Sequence, residues 1–317
     1  MMKSIVLYQT SILHRSMASK ELAPSKTPFF PNHFIRNQFG TKPQFPPETT
    51  NLSGRVAIVT GSNTGLGLEC ARQLLSYKLS RLILAVRSVK KGEDAASGLT
   101  SQYPNAVIEV WQFEMTSYDS IRALAARVGK LSRLDMAILN AGVGFHDFKI
   151  VPSTGHEETI QVNYLSTMLL AVLLLPSLKT KSPTGPGRLT ISTAMLSMTA
   201  KFPNKHEDPL LPSFDDKRYF DASDIYATSK LLGQMFVWKL TDLVTAEEVV
   251  VNMVEPGFVK GTDLHKDRPF GTRALLGLFK AAAARTVQVG ASAYVDACAV
   301  KSKESHGCIL TNWEIAP

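Results

Sequence analysis

Tyr226 and Lys230 stand four residues apart in the run Tyr226-Ala227-Thr228-Ser229-Lys230. On a helix that spacing puts both on one face, a turn apart. An ammonium beside a phenol stabilises the phenolate and lowers a pKa that starts at about 10. The pair therefore predicts a tyrosine able to give or take a proton near neutral pH. Alone, such a pair is more often a solvated helix face. It gains meaning from a second feature far upstream.

That feature is Thr60-Gly61-Ser62-Asn63-Thr64-Gly65-Leu66-Gly67, placed between a short apolar run and a segment of helical spacing. Glycines at these positions let the backbone turn tightly and approach a pyrophosphate. The helix N-terminus then supplies free N–H groups and a positive partial charge. Gly61, Asn63, Gly65, Leu66 and Gly67 are the candidate dinucleotide contacts. An acid at the end of the next strand would bind the ribose hydroxyls of NAD. Here the strand ends Leu84-Ala85-Val86-Arg87-Ser88, with Lys90 and Lys91 beyond. An arginine fits a 2′-phosphate, and the sequence shows no carboxylate beside it to repel that phosphate. NADP is favoured over NAD, against the competing reading of a solvated basic loop.

Three further motifs complete the set: Asn140-Ala141-Gly142 after the fourth strand, Asn163 in an apolar helix, and Pro256-Gly257 after the sixth strand. With them, the chain resembles the short-chain dehydrogenase/reductase family over residues 53 to about 311. Its texture is similar to fungal secondary-metabolism reductases of the retinol-dehydrogenase-like branch. The resemblance implies that Tyr226 carries the proton, that Lys230 also holds the nicotinamide ribose, and that Asn163 completes a water-linked proton relay. It further implies that Glu114 stands at the adenine amino group, where the family usually has aspartate, and that Asn140 lies beneath the adenosine. Val259 and Thr262 resemble residues touching the nicotinamide amide and phosphate, with an extra residue between Gly257 and Thr262.

One departure stands out. The family places a serine after the fifth strand to hydrogen-bond the substrate carbonyl. This chain runs Arg188-Leu189-Thr190-Ile191-Ser192-Thr193-Ala194, so Thr193 and Ala194 replace the two serines of related sequences. Thr193, or Ser192 after a one-residue slip, is the candidate substitute. The chain also stops at Pro317, soon after the seventh-strand-like Cys308–Thr311, so a pocket-closing helix found in relatives is expected to be missing. The expected function is hydride transfer between NADPH and a carbonyl or alcohol carbon of a small, apolar, secondary-metabolite-like substrate. The alternative is a dinucleotide-binding protein without reductase turnover, or a catalyst of a non-redox step.

The elements that must position these residues alternate regularly. Strands are expected at Arg55–Thr60, Arg81–Val86, Ala106–Phe113, Leu134–Leu139, Arg188–Ser192 and Val249–Val254. Helices are expected at Leu66–Tyr77, Ser117–Lys130, 157–178 and from about Tyr226. This order predicts the α/β class: a Rossmann-type doubly wound parallel sheet with helices on both faces. Two stretches, 195–224 and 257–285, break the rhythm and read as walls of the substrate pocket. Their Met195, Met198, Phe202, Phe258 and Phe270 suggest an apolar or aromatic ligand.

Composition limits the alternatives. A chain of 317 residues with 44% hydrophobic side chains can bury a sizeable core. Net charge is +8, half of it in residues 1–52, and no basic run marks a nucleic-acid surface. The most apolar stretch, Leu165–Leu178, is 14 residues long and reads as a buried core helix ending at Pro176. A membrane span needs about 20. Cys70, Cys298 and Cys308 are too sparse for a disulfide scaffold or a zinc site and favour a reducing, cytoplasmic setting. Residues 1–52 read as an N-terminal extension and arm, its phenylalanines packed on a single domain at 53–317. Residues 1–17, with no acid, resemble at most a weak organelle-targeting leader. A homo-oligomer is compatible with the sequence, which does not fix the oligomeric state.

Overall fold

The computed structural model describes residues 19, 22, 31–32, 34–261 and 283–316. Strand β1 (Val56–Thr60) pairs in parallel with both β2 (Arg81–Val86) and β4 (Met136–Leu139). The chain runs outward from β1 through β2 to β3 (Val107–Gln112), then returns to β4 and continues through β5 (Gly187–Ser192), β6 (Val249–Glu255) and β7 (Ile309–Thr311). The sheet order is β3-β2-β1-β4-β5-β6-β7-β8, with β8 (Glu314–Ala316) antiparallel to β7. The order reverses between β1 and β4, and a ligand crevice is expected outside the strand ends at such a point.

The strands at the centre of the sheet are mostly apolar because both faces are covered, β1 and β4 carrying one polar residue, Thr60, between them. Val56 and Ile58 join a core with helix α3 (Tyr118–Gly129) and helix α4 (Glu158–Thr180). Ala57 and Val59 point the other way, into a core with α1 (Gly65–Ser76) and α6 (Val287–Val295). Two hydrogen-bonding caps start helices sharply: Ser117 accepts from the Ser120 N–H ahead of α3, and Ser88 from the Lys91 N–H ahead of α2 (Val89–Gln102). Helix α2 itself had no counterpart among the expected elements. Only Gly92 and Leu99 of its residues are buried, so its apolar face is too narrow to read.

Three expectations need correction. Helix α5 (Ala222–Leu240) starts before Tyr226, because the Asp221 carboxylate accepts the N–H groups of Ser223 and Asp224 at 3.0 and 2.8 Å. Helix α4 does not end at Pro176 but continues to Thr180. The bond that Pro176 cannot make belongs to the carbonyl of Val172, which lies on the exposed side of the helix, where water can replace it. The resulting 23-residue helix is long and apolar enough to cross a membrane by length and composition, yet Leu170, Leu174 and Leu178 are sealed in the protein core. Strand β8 was also unforeseen. Asn312 and Trp313 turn the chain at φ 55° and 63°, and Trp313, 2% exposed, donates its indole N–H to Ser292 Oγ.

Among the described residues the arm is held by polar contacts more than by its phenylalanines; Phe29 and Phe30 lie outside them. Phe39 and Phe45 are 62% and 48% exposed, while the Phe34 ring lies 6.3 Å from that of Phe258. In the 195–224 stretch, Phe202 is no pocket wall: it stacks on Phe214 at 5.7 Å in a satellite core with Ile160, Ile225 and Leu232. Phe270 lies outside the described residues.

Candidate functional site

The glycine loop sits at the reversal point, between the ends of β1 and β4. Gly61 takes φ +64° and Gly65 φ +57°, a conformation that costs other residues energy. A Cβ on Gly67 would lie 2.4 Å from the Gly61 carbonyl oxygen and 2.5 Å from Asn140 Nδ2, so only glycine fits where α1 meets the turn. Asn140 braces the loop from β4, donating to the carbonyls of Thr60 and Gly61 at 3.0 and 3.2 Å. Asn63 occupies the turn, half-buried, and Leu66 opens α1 beside Val259. A tight loop, close backbone approach and a free helix N-terminus suit a diphosphate.

On the outer flank, Arg87 follows β2 with its side chain 71% exposed. It does have a carboxylate beside it, contrary to the sequence reading: Glu114 Oε2 lies 3.9 Å from Arg87 Nε. Strands β2 and β3 pair up to Val86 and Gln112, which brings the residues just beyond them together. Glu114 also accepts the Thr116 N–H.

Tyr226, Lys230 and Asn163 converge beyond the ends of β4 and β5. Lys230 Nζ donates to the Ser192 carbonyl at 3.1 Å and lies 5.9 Å from the Tyr226 ring centroid. A Cβ at Gly142 would stand 3.2 Å from Asn163 Oδ1 and 3.5 Å from Lys230 Nζ, so the two side chains flank the same backbone. Asn163 lies in a π-helical segment, Gln161–Ser166, inside α4. Its Oδ1 accepts the Val143 N–H, and its Nδ2 donates to the Val143 carbonyl and to Ser229 Oγ. Both amide hydrogens are thereby committed.

The electrostatics reverse one expectation. The Tyr226 phenol is pushed up, first by burial and then by the nearby Glu255 carboxylate, not down by Lys230. Burial lowers Lys230 to about 8. The ammonium, bonded to the Ser192 carbonyl, does not offset the loss of water around the phenol.

After β5, each hydroxyl already has a partner. Ser192 Oγ pairs with the Tyr294 hydroxyl at 2.7 Å. Thr193, 4% exposed, accepts from Gln234 Nε2 at 2.9 Å, and the same amide reaches Ser197 Oγ. Ala194 follows, half-buried in extended backbone, and opens the turn Met195–Thr199. On the far side, Val259 and Leu66 both crowd Gly290, where a Cβ would meet them at 2.7 and 2.8 Å. The loop after β6 thus lies against the glycine turn. Thr262 falls outside the described residues.

A model of the short chain dehydrogenase family matches residues 55–198. The short chain dehydrogenase/reductase mfmJ of Annulohypoxylon moriforme is 59% identical over 303 residues, spanning 95% of this chain and 88% of that protein. The short chain dehydrogenase virL of Hypocrea virens is 41% identical over 90% of this chain and 83% of its own. This chain belongs to the short-chain dehydrogenase family. Solved structures share the fold of this chain at low identity. A short chain dehydrogenase from Salmonella enterica superposes with a TM-score of 0.64 at 19% identity, covering 84% of this chain and 99% of that one. One from Sphingobium yanoikuyae, in complex with NADPH, gives 0.56 at 17%, covering 76% and 83%.

Three side chains around the candidate site were not singled out in the sequence. Ser229 bridges Asn163 and the Tyr226 carbonyl, and its place inside the Tyr226–Lys230 run was the available signal. Gln234 fixes the loop carrying Ala194, one turn beyond Lys230 on α5. Glu255 is a buried acid ending a strand that is apolar but for Asn252, a pattern visible in Val249–Glu255.

Proposed function

We propose that this chain is an NADP-dependent oxidoreductase acting between the nicotinamide and a carbonyl or alcohol carbon of a small, apolar substrate of secondary-metabolite type. The observation that carries the reading is the convergence of Lys230 Nζ and Asn163 Oδ1 on Gly142, with Tyr226 one turn from Lys230 and the glycine loop at the adjoining strand ends. The glycine turn, Asn140 and the start of α1 fit the diphosphate, and the loop at Val259 closes the nicotinamide side. When bound, NADP supplies the hydride donor or acceptor.

The side chains then have separate tasks. Tyr226 gives the proton to the carbonyl oxygen in reduction and takes it in oxidation. Burial keeps it protonated at neutral pH, the form that can donate in reduction. Lys230 is an ammonium at neutral pH and stabilises the phenolate left after transfer. With both amide hydrogens of Asn163 in use, its side chain has no N–H left to give to a relay water. Free, buried Cys70, Cys298 and Cys308 suit a reducing, cytoplasmic compartment.

A second reading, cofactor binding without reductase turnover or with a non-redox step, is favoured by one observation. The Ser192 hydroxyl pairs with that of Tyr294, the Thr193 hydroxyl is buried where it accepts from Gln234, and Ala194 offers none. Oxidation of NADPH against a panel of carbonyls separates the two readings: binding without turnover across the panel supports the second.

Arg87 tests the cofactor. NADPH is expected to bind more tightly than NADH, and Arg87→Ala to shrink that preference roughly tenfold, since a charged hydrogen bond to phosphate is lost. Glu114 neutralises part of the Arg87 charge, so Glu114→Gln should widen the preference. Equal dissociation constants for the two cofactors in the unmutated protein would sink the assignment.

A further inference from the structure

The arm ahead of β1 grips the loop that follows β6. Gln38 makes two hydrogen bonds to a single residue: its Nε2 donates to the Phe258 carbonyl at 2.9 Å, and its Oε1 accepts the Phe258 N–H at 3.2 Å. One side chain thereby satisfies both backbone groups of a peptide, as a neighbouring strand would. The Phe258 carbonyl also receives the Arg285 N–H at 2.8 Å, and the Lys260 N–H reaches the Arg285 carbonyl at 3.0 Å. Beside Gln38, buried Asn37 anchors the arm. Its Nδ2 donates to Thr311 Oγ1 at 3.0 Å, its Oδ1 accepts from Asn312, and its carbonyl accepts from the Arg285 guanidinium. The arm is thus fixed at Asn37 and holds Phe258 through Gln38.

Phe258 is next to Val259, which packs with Leu66 over Gly290. The same loop brings the Gly261 carbonyl within 3.9 Å of a Cβ built on Gly65. A shift of the Phe258 peptide therefore changes the gap between the β6 loop and the glycine turn. Arg87 and Glu114 lie across the sheet, beyond β2 and β3, on the adenosine side.

We infer that Gln38 is a positioning residue for the nicotinamide half of the cofactor site. The inference rests on the reading of this site as an NADP site. A primary amide is required, because it offers a donor and an acceptor side by side. A glutamate at this place would keep the acceptor but set a carboxylate oxygen against the Phe258 carbonyl.

The test compares two ligands on the full chain. NADPH spans both halves of the site, whereas adenosine 2′,5′-bisphosphate fills only the adenosine half. Gln38→Ala and Gln38→Glu are each expected to raise the dissociation constant for NADPH roughly tenfold, the scale of one or two lost hydrogen bonds. Binding of adenosine 2′,5′-bisphosphate should change by less than about twofold, because its half of the site lies away from the Phe258 loop. Equal weakening of both ligands would show that the arm only supports the fold, and unchanged NADPH binding would show that Gln38 positions nothing. Either result overturns the assignment. If the unmutated protein binds neither ligand, the cofactor reading itself falls and takes this inference with it.

Discussion

Replacing Tyr226 by phenylalanine is expected to lower turnover on carbonyl substrates by about 10²-fold or more, while NADPH binds nearly as before. The change removes one hydroxyl and keeps the ring, so packing around α5 should survive. Steady-state kcat and a fluorescence titration of NADPH on the same preparation separate the two effects. The pH dependence should follow from the side chains. Tyr226 stays protonated through neutral pH because burial and Glu255 disfavour its phenolate. Lys230 loses its proton at about 8, and with it the charge that stabilises the phenolate formed in reduction. Carbonyl reduction should therefore fall as pH rises past that value. A reduction rate that climbs through the same range, or full turnover by Tyr226→Phe, would place the proton transfer elsewhere.

Introducing a serine at position 194 is the second large effect. A hydroxyl donor aimed at a developing oxyanion is typically worth roughly 10²- to 10³-fold in rate. Ala194→Ser should accelerate reduction of simple ketones toward that range, provided the new hydroxyl faces the substrate. Thr193→Val should matter much less, because the Thr193 hydroxyl is buried and paired with Gln234. Both variants belong in one experiment, with the same carbonyl panel and saturating NADPH. A damaging Thr193→Val with a neutral Ala194→Ser would assign the hydroxyl role to Thr193. No effect from either would make the non-reductase reading the leading one.

The parts of the fold that were legible in the sequence are those whose signal is local. The parallel strands β1 to β6 lie within two residues of the expected spans, because each carries a cluster of apolar residues between polar turns; β3, at the sheet edge, is the least buried. The glycine loop was legible because strand, turn and helix follow one another directly. What was hidden depends on neighbours distant in the chain. Glu114 meets Arg87 only because β2 and β3 pair in register. The upward shift of Tyr226 comes first from burial under neighbouring elements and then from Glu255, which another strand delivers. The clamp of Gln38 on Phe258 joins residues 220 apart. Helix α2 and strand β8 were missed for a different reason: one buries too few side chains and the other is three residues long.

Transfer of isotope from the cofactor to a carbonyl carbon tests the central claim most directly. The protein would be incubated with NADPH carrying deuterium at C4 of the nicotinamide, in separate samples for each face, and with the carbonyl panel. Mass spectrometry would then read the alcohol products. Transfer of one deuterium from one face only, lost in Tyr226→Phe, is the predicted result. Tight NADPH binding with no deuterium in any product across the panel would contradict it.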